Sequence, residues 1–164
     1  MNEARYGMIA GAHHPDLGFL ITGGLDSGYK STTEISRDGI TFESYTPLPI
    51  GLEGHCMVAL EGNDGEFFIG GGYSSSGYSN RAFIHKGNEW VEVEQMPTAR
   101  TSKESNLEVQ GEINWMLCIS DLMCGPVRAS PGGRVVKIVA ASGFPRTNRV
   151  YEYNIATNTW KEGE

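Results

Sequence analysis

Phe19-Leu20-Ile21-Thr22-Gly23-Gly24 returns further along the chain as Phe67-Phe68-Ile69-Gly70-Gly71-Gly72. A short apolar run bounded by glycine reads as a β-strand buried on both faces. Other landmarks keep the same offset as Phe19 to Phe67. Gly39 maps onto Gly87, Phe42 onto Trp90, and Leu48-Pro49 onto Met96-Pro97. Landmarks of such different chemistry holding one spacing identify an internal repeat. A period in the range of roughly 40–50 residues with strand-like content predicts β-propeller blades.

Each unit reads as four strands. In the first, Tyr6–Ala10 is the innermost strand, Pro15-Asp16-Leu17-Gly18 a turn, and Phe19–Gly24 the apolar strand. Thr32–Ser36 is the third strand, Arg37-Asp38-Gly39 a hairpin, and a fourth strand carries Phe42. In the second unit the strands are His55–Leu60, Phe67–Gly72, Arg81–His85 and a segment around Trp90. Gly, Asp and Asn in the connections supply the positive φ of tight hairpins, and proline is expected only at boundaries and loops. A third unit has Val135–Ala141 as its apolar strand, Ser142-Gly143 in the place of the glycine pair, Arg149–Tyr153, and Trp160. The step from second glycine to aromatic is the same in the first two units, Gly24 to Phe42 and Gly72 to Trp90. From Gly143 to Trp160 it is a single position shorter.

These features resemble the kelch repeat. The matching residues are Gly23-Gly24 and Gly71-Gly72, Tyr153 on a third strand, Trp90 and Trp160, and Met96-Pro97-Thr98-Ala99-Arg100 as the joint between units. The departures are Phe42 in place of Trp, Ser142 in place of Gly, and little Tyr in the first unit. The resemblance implies an all-β, kelch-type β-propeller of three four-stranded blades forming an incomplete ring. The blades would cover residues 1–47, 48–102 and 123–164. It assigns Tyr153 and Trp160 to packing between blades. Three blades do not close a ring, so the expectation is a part of a longer six- or seven-bladed protein, with further kelch blades, or a truncated gene model.

Residues 103–122 interrupt the period as an insertion. One reading is a functional loop at a joint, with Ile113–Ile119 as an extra strand. The other is retained non-coding sequence, because codons for Ser102-Lys103 can spell a splice donor. Both stay open at this point.

Composition excludes several classes. A net charge of −7 argues against a nucleic-acid or anionic-membrane surface. No apolar run reaches the length that a membrane-spanning helix needs. Met1-Asn2-Glu3-Ala4-Arg5 lacks a secretory pattern and there is no glycosylation sequon, which favours a cytoplasmic location while leaving an extracellular one open. Cys56, Cys118 and Cys124 form an odd set with no CxxC pair. The expectation is therefore buried free thiols, no disulfide framework and no metal site.

No catalytic motif survives inspection. His13-His14-Pro15-Asp16 reads as a solvated turn, since adjacent histidines on a strand point to opposite faces. His55 is expected to hydrogen-bond a neighbouring blade, and His85 to be exposed at a hairpin. Gly70-Gly71-Gly72 lacks the Lys-Ser/Thr and the helix of a phosphate loop. The one enzyme alternative comes by analogy, from galactose-oxidase-like copper radical enzymes built on a kelch-type propeller; it needs converging Tyr and His ligands and a Cys–Tyr crosslink. The preferred expectation is a non-catalytic protein-binding module without cofactor. Its loops would present Tyr29, Lys30, Tyr78, Arg81, Arg146 and Arg149 to a protein or peptide, with Arg146 and Arg149 of the third loop able to meet an acidic peptide.

Overall fold

The structure, a computed structural model, describes residues 1–7, 10–62, 66–101, 122–131, 133–143, 145 and 148–163. Both readings of segment 103–122, the strand Ile113–Ile119, the turn residues Asn63-Asp64-Gly65 and Arg146 lie outside these, Leu122 excepted.

The described residues contain strands, turns and no helix. The first sheet runs β1 (Ala10–His14), β2 (Gly18–Thr22), β3 (Thr33–Ser36) and β4 (Glu43–Tyr45), paired in chain order. The second comprises β5 (Glu53–Ala59), β6 (Phe67–Ser74), β7 (Gly77–Tyr78), β8 (Ala82–Lys86) and β9 (Glu89–Val93). Its path is β5-β6-β8-β9, with β7 folded back on the end of β6. The third is β10 (Met123–Arg128), β11 (Val135–Ala141), β12 (Val150–Asn154) and β13 (Thr159–Glu162). All pairings are antiparallel, as short hairpin connections require. The sheets form an open row, β1 against β5 and β5 against β10.

Alternation of side chains along the strands builds two cores, one on each face of the middle sheet. Phe67, Ile69, Phe83 and Trp90 pack toward the first sheet with Leu20, Ile35, Leu48 and Leu52. Phe68 and Ile84 pack toward the third with Val135, Ile138, Ala140 and Tyr153. The run Phe67–Gly72 is thus buried on both faces, as its unbroken apolar character predicts. Phe68, Tyr153 and Trp160 make one aromatic wedge, with ring centroids 5.1–6.3 Å apart. The Tyr153 hydroxyl donates to Asn158 Oδ1 at 2.8 Å, which also accepts from the Glu94 amide at 2.8 Å.

The joints repeat in atomic detail. The Gly24 amide donates to Leu52 O at 2.9 Å, and the Gly72 amide to Arg100 O at 2.6 Å. Trp90 Nε1 donates to Thr46 O at 3.0 Å, and Trp160 Nε1 to Glu94 O at 2.8 Å. Arg5 Nη1 donates to Gly23 O and Thr32 O, and Arg100 Nη1 to Ser142 O and Arg149 O, all at 2.9–3.1 Å. Leu52, fully buried, holds the arginine's place at the joint between the first two sheets. The glycine pairs share one backbone conformation, with φ 70 and 91° at Gly23-Gly24, 71 and 97° at Gly71-Gly72. Ser142-Gly143 adopts it too, at 61 and 105°, so a side chain is held where the other units use glycine.

Several expectations are corrected. The first strand is Ala10–His14, not Tyr6–Ala10; Tyr6 makes an isolated bridge to Leu25 instead. His14 is buried against Phe67 while His13 faces out, so the histidine pair belongs to a strand rather than a solvated turn. Phe42 precedes the short β4, and Tyr45 supplies the aromatic that reaches the second sheet, its ring 5.0 Å from His85. His85 is fully buried, because Glu66 and Trp90 close over it. Pro126 lies within β10, which tolerates it as an edge strand. Cys56 and Cys124 are not free thiols: they form a disulfide joining the first strands of the second and third sheets, with Cα atoms 5.6 Å apart.

Candidate functional site

The strand ends marked by the glycine pairs carry the longest described loops. Beyond Gly72 the chain continues to Ser74, turns at Ser75-Ser76 and returns through Gly77-Tyr78. Ser74 Oγ fixes the tip, accepting from the Ser76 amide at 3.2 Å and donating to Gly77 O at 3.4 Å. The register pairs Tyr73 with Tyr78, whose rings meet edge to face at 4.9 Å. From the first sheet, Tyr29 brings its ring to 5.8 Å from Tyr73. Gly51 permits that approach, since a Cβ there would lie 2.2 Å from Tyr29 O. Burial, and secondarily Glu53, raises the Tyr29 hydroxyl above the ordinary tyrosine value, so it stays a neutral hydrogen-bonding group.

Beside these tyrosines lies an open cleft of about 320 Å³, lined by Ile50, Gly51, Ser74–Ser76, and Tyr78–Arg81. Tyr78 is 44% exposed at its edge. Rigid aromatic area beside short hydroxyl and amide side chains suits recognition of a polypeptide surface at low entropic cost.

The expected cations are largely spoken for. Arg81 makes a two-pronged pair with Glu92, both bonds 2.8 Å, and its guanidinium lies 4.9 Å from the Phe83 ring centroid. Lys30 pairs with Glu3 at 3.1 Å and Asp26 at 3.4 Å. Arg149 pairs with Glu162 at 3.4 Å on the third sheet. The structure therefore brings Tyr29, Tyr78 and Arg81 to the cleft region and leaves Lys30 and Arg149 in their own ion pairs. Sequence reading marked the loop of residues 73–81 for binding but chose Tyr78 and Arg81 from it rather than Tyr73 and Asn80, and it missed Ile50. The signal for Tyr73 was available: two tyrosines flanking Ser-Ser-Ser-Gly fall opposite each other when the loop closes as a hairpin.

Two buried polar clusters lie between the first and second sheets. His55 Nε2 is 2.5 Å from Thr22 Oγ1, the contact to a neighbouring unit that its position predicts. Burial lowers its pKa to about 4, so the ring is neutral. Glu66 accepts from Tyr45 at 3.1 Å and pairs closely with His85 Nδ1. Burial and Glu66 push Tyr45 up to about 12. His55 and His85 are buried, and both clusters bridge the first and second sheets. Among the described residues no group of three His, Cys, Asp or Glu is placed to hold a metal. The Cys56–Cys124 bond leaves neither sulfur for a Cys–Tyr crosslink.

The chain matches no known family model, and no curated protein is significantly similar to it.

Proposed function

We propose that the three sheets are successive blades of a kelch-type propeller and that the protein is a non-catalytic binding module. The recurring joint bonds, the left-handed glycine pairs and the adjacency of β1, β5 and β10 support the architecture. Exposed Phe19, Met123, Val127 and Val150 on the first and third sheets support further blades packing there. The observation that carries the function is the Tyr29–Tyr73–Tyr78 cluster beside its Ser/Asn-lined cleft. With Lys30 and Arg81 already paired to carboxylates, the partner this surface favours is a polypeptide segment read by aromatic stacking and neutral hydrogen bonds. The inter-sheet disulfide supports the extracellular arm of the compartment question, since such bonds persist in oxidising environments.

Peptide-display selection on the purified chain tests the binding role. Enriched peptides should lose at least tenfold affinity for a Tyr29→Ala/Tyr73→Ser/Tyr78→Ala variant whose melting temperature is held. Failure to enrich peptides, or equal binding by the variant, defeats the reading.

A further inference from the structure

At the opposite strand ends from the tyrosine cleft, the second and third sheets part around a second cavity of about 330 Å³. Its walls come from Leu60 after β5, Ile84 and Lys86 at the end of β8, Arg134 to Lys137 at the start of β11, and Asn154 to Ala156 after β12. Leu60, Ile84 and Val135 are buried and give it an apolar floor with the half-buried Ile155. The charged groups around it are unevenly matched. Lys137 is held by Glu152 at 2.8 Å, and the nearby Glu61 is engaged by Arg128 at 2.9 Å. Lys86 and Arg134 line the cavity, exposed, and neither makes an ion pair among the described residues. Among the described residues these two cations, without an ion-pair partner, stand over an apolar floor on a chain of net charge −7, with Glu89 opposite Lys86 in the strand register.

The backbone narrows the ligand chemistry. Phosphate sites draw on free main-chain amides. Here the Val135 amide donates to Glu61 O at 3.2 Å and the Ile155 amide to Val136 O at 3.3 Å. The Ala156 and Thr157 amides are taken by Asn154 Oδ1 at 3.0 and 3.2 Å. None of these four main-chain donors is free for a phosphate, which leaves the Lys86 and Arg134 side chains as the charged groups for a ligand to meet. A guanidinium fork matches a carboxylate in two-pronged geometry, and the floor accepts a short apolar body behind it.

We infer that this cleft binds an organic carboxylate: the head group on Arg134 and Lys86, the apolar tail on Leu60, Ile84, Val135 and Ile155. The volume sits at the lower end of the range for small-molecule sites, so the ligand is of a size with a medium-chain or aryl acid, or the last residue of a polypeptide with a free C-terminus. Nothing in this assignment depends on the tyrosine cleft.

Amide-resolved NMR titration of the full chain tests it, with hexanoate, hexanol and inorganic phosphate as probes at constant ionic strength. Hexanoate should shift Lys86, Ile155 and Ala156 saturably, with a dissociation constant of about 1 mM or below for a ligand of this size. Hexanol and phosphate should each bind at least fivefold more weakly. Arg134→Gln with Lys86→Gln should cost at least fivefold; both side chains are exposed, so the melting temperature should hold. An acetylated peptide ending in Leu, as free acid and as amide, separates the sources. Tighter binding of the acid than of hexanoate assigns a polypeptide terminus, and the reverse assigns a free carboxylic acid. The proposal is overturned by no saturable shift at these residues, by phosphate equalling hexanoate, or by an unaffected double variant. A fivefold or greater gain on Asp64→Asn also overturns it, because the cations would then serve a carboxylate of the chain itself.

Discussion

Acidifying the protein from pH 6.5 to 4 should cost it about 3 kcal/mol through His55 alone. His55 faces Thr22 across the sheet boundary and is wedged between Gly23 and Gly72, where a built Cβ would come within 2.6–2.9 Å of its atoms. Among the described residues no charged side chain is hydrogen-bonded to it, and burial is the cause of its lowered pKa, about 4 against 6.5 for a free imidazole. The unfolded chain therefore takes up a proton as pH falls through 6.5, while the folded chain resists until about pH 4. Stability conferred by the neutral ring is complete above the unfolded value and is lost on descent. At about 1.4 kcal/mol per pH unit over this span the loss approaches about 3 kcal/mol, a large share of the roughly 5–15 kcal/mol typical of a folded domain. Urea unfolding of the wild type and His55→Gln at pH 7.5, 6.5, 5.5 and 4.5 reads it directly. Glu3, Glu92 and Glu152, whose carboxyls are held below their usual range by Thr32, Arg81 and Lys137 respectively, add losses of their own at the acid end. Those losses are common to both proteins, so the quantity to follow is the difference between them. That difference should shrink by about 2 kcal/mol or more between pH 6.5 and 4.5. Parallel curves, with a difference that does not change with pH, would refute the account of His55 as a neutral, desolvated ring.

Ser142→Gly should stabilise the protein by about 1 kcal/mol, because Ser142 holds a φ of 61° that costs an L-residue strain; a lowered urea midpoint would contradict this. Breaking the Cys56–Cys124 bond, which closes a sequence separation of 68, should cost about 4 kcal/mol; equal urea midpoints with and without reductant would exclude the crosslink. Arg100→Lys keeps the charge but loses the fork that reaches Ser142 O and Arg149 O, and should cost about 2 kcal/mol by urea unfolding. Its effect should exceed that of Arg149→Lys, whose Glu162 partner is exposed.

What could be read in advance was what the chain settles locally. An apolar run ending on paired glycines announces a left-handed pair, which both sheets show, and burial on two faces, which Phe67–Gly72 shows and the first run lacks at exposed Phe19. The third sheet could be placed through Trp160 because an outer aromatic needs a fixed reach to the preceding joint. What stayed hidden depended on partners distant in sequence. His13-His14 disguised the end of β1 because its polar residues suggest a turn, although His14 finds Phe67 on the next sheet. His85 looked exposed until Tyr45 and Glu66, from two other segments, closed around it. The disulfide lacked any spacing rule, since its two cysteines meet only when β5 and β10 come side by side. At the candidate site Tyr29 and Tyr78 could be picked from composition. The pairing of Arg81 with Glu92 needed the register of β8 on β9.

The tyrosine cleft and the joints are one construction. The Gly72 amide reaches Arg100 O, and the Ser79 amide reaches Gly72 O at 2.9 Å, so the hairpin that carries Tyr73 and Tyr78 is bonded at its base to the chain leaving the sheet. The Arg100 amide in turn donates to Ser79 O at 3.0 Å, closing the ring of bonds. The Leu52 amide makes the corresponding bond to Lys30 O at 3.1 Å, beside Tyr29. Each joint thus fixes the loop of the sheet before it, and a loop anchored this way loses little freedom when it binds. Gly72 cannot be exchanged without moving this base, because a Cβ there would stand 2.9 Å from Glu53 O and from His55 Cβ at a φ of 97°. A substitution at Gly72 should therefore weaken peptide binding even where the fold survives it, whereas one at Gly87, whose surroundings are open, should leave binding unchanged. The residues that lock the sheets together are the ones that hold the proposed binding surface in shape.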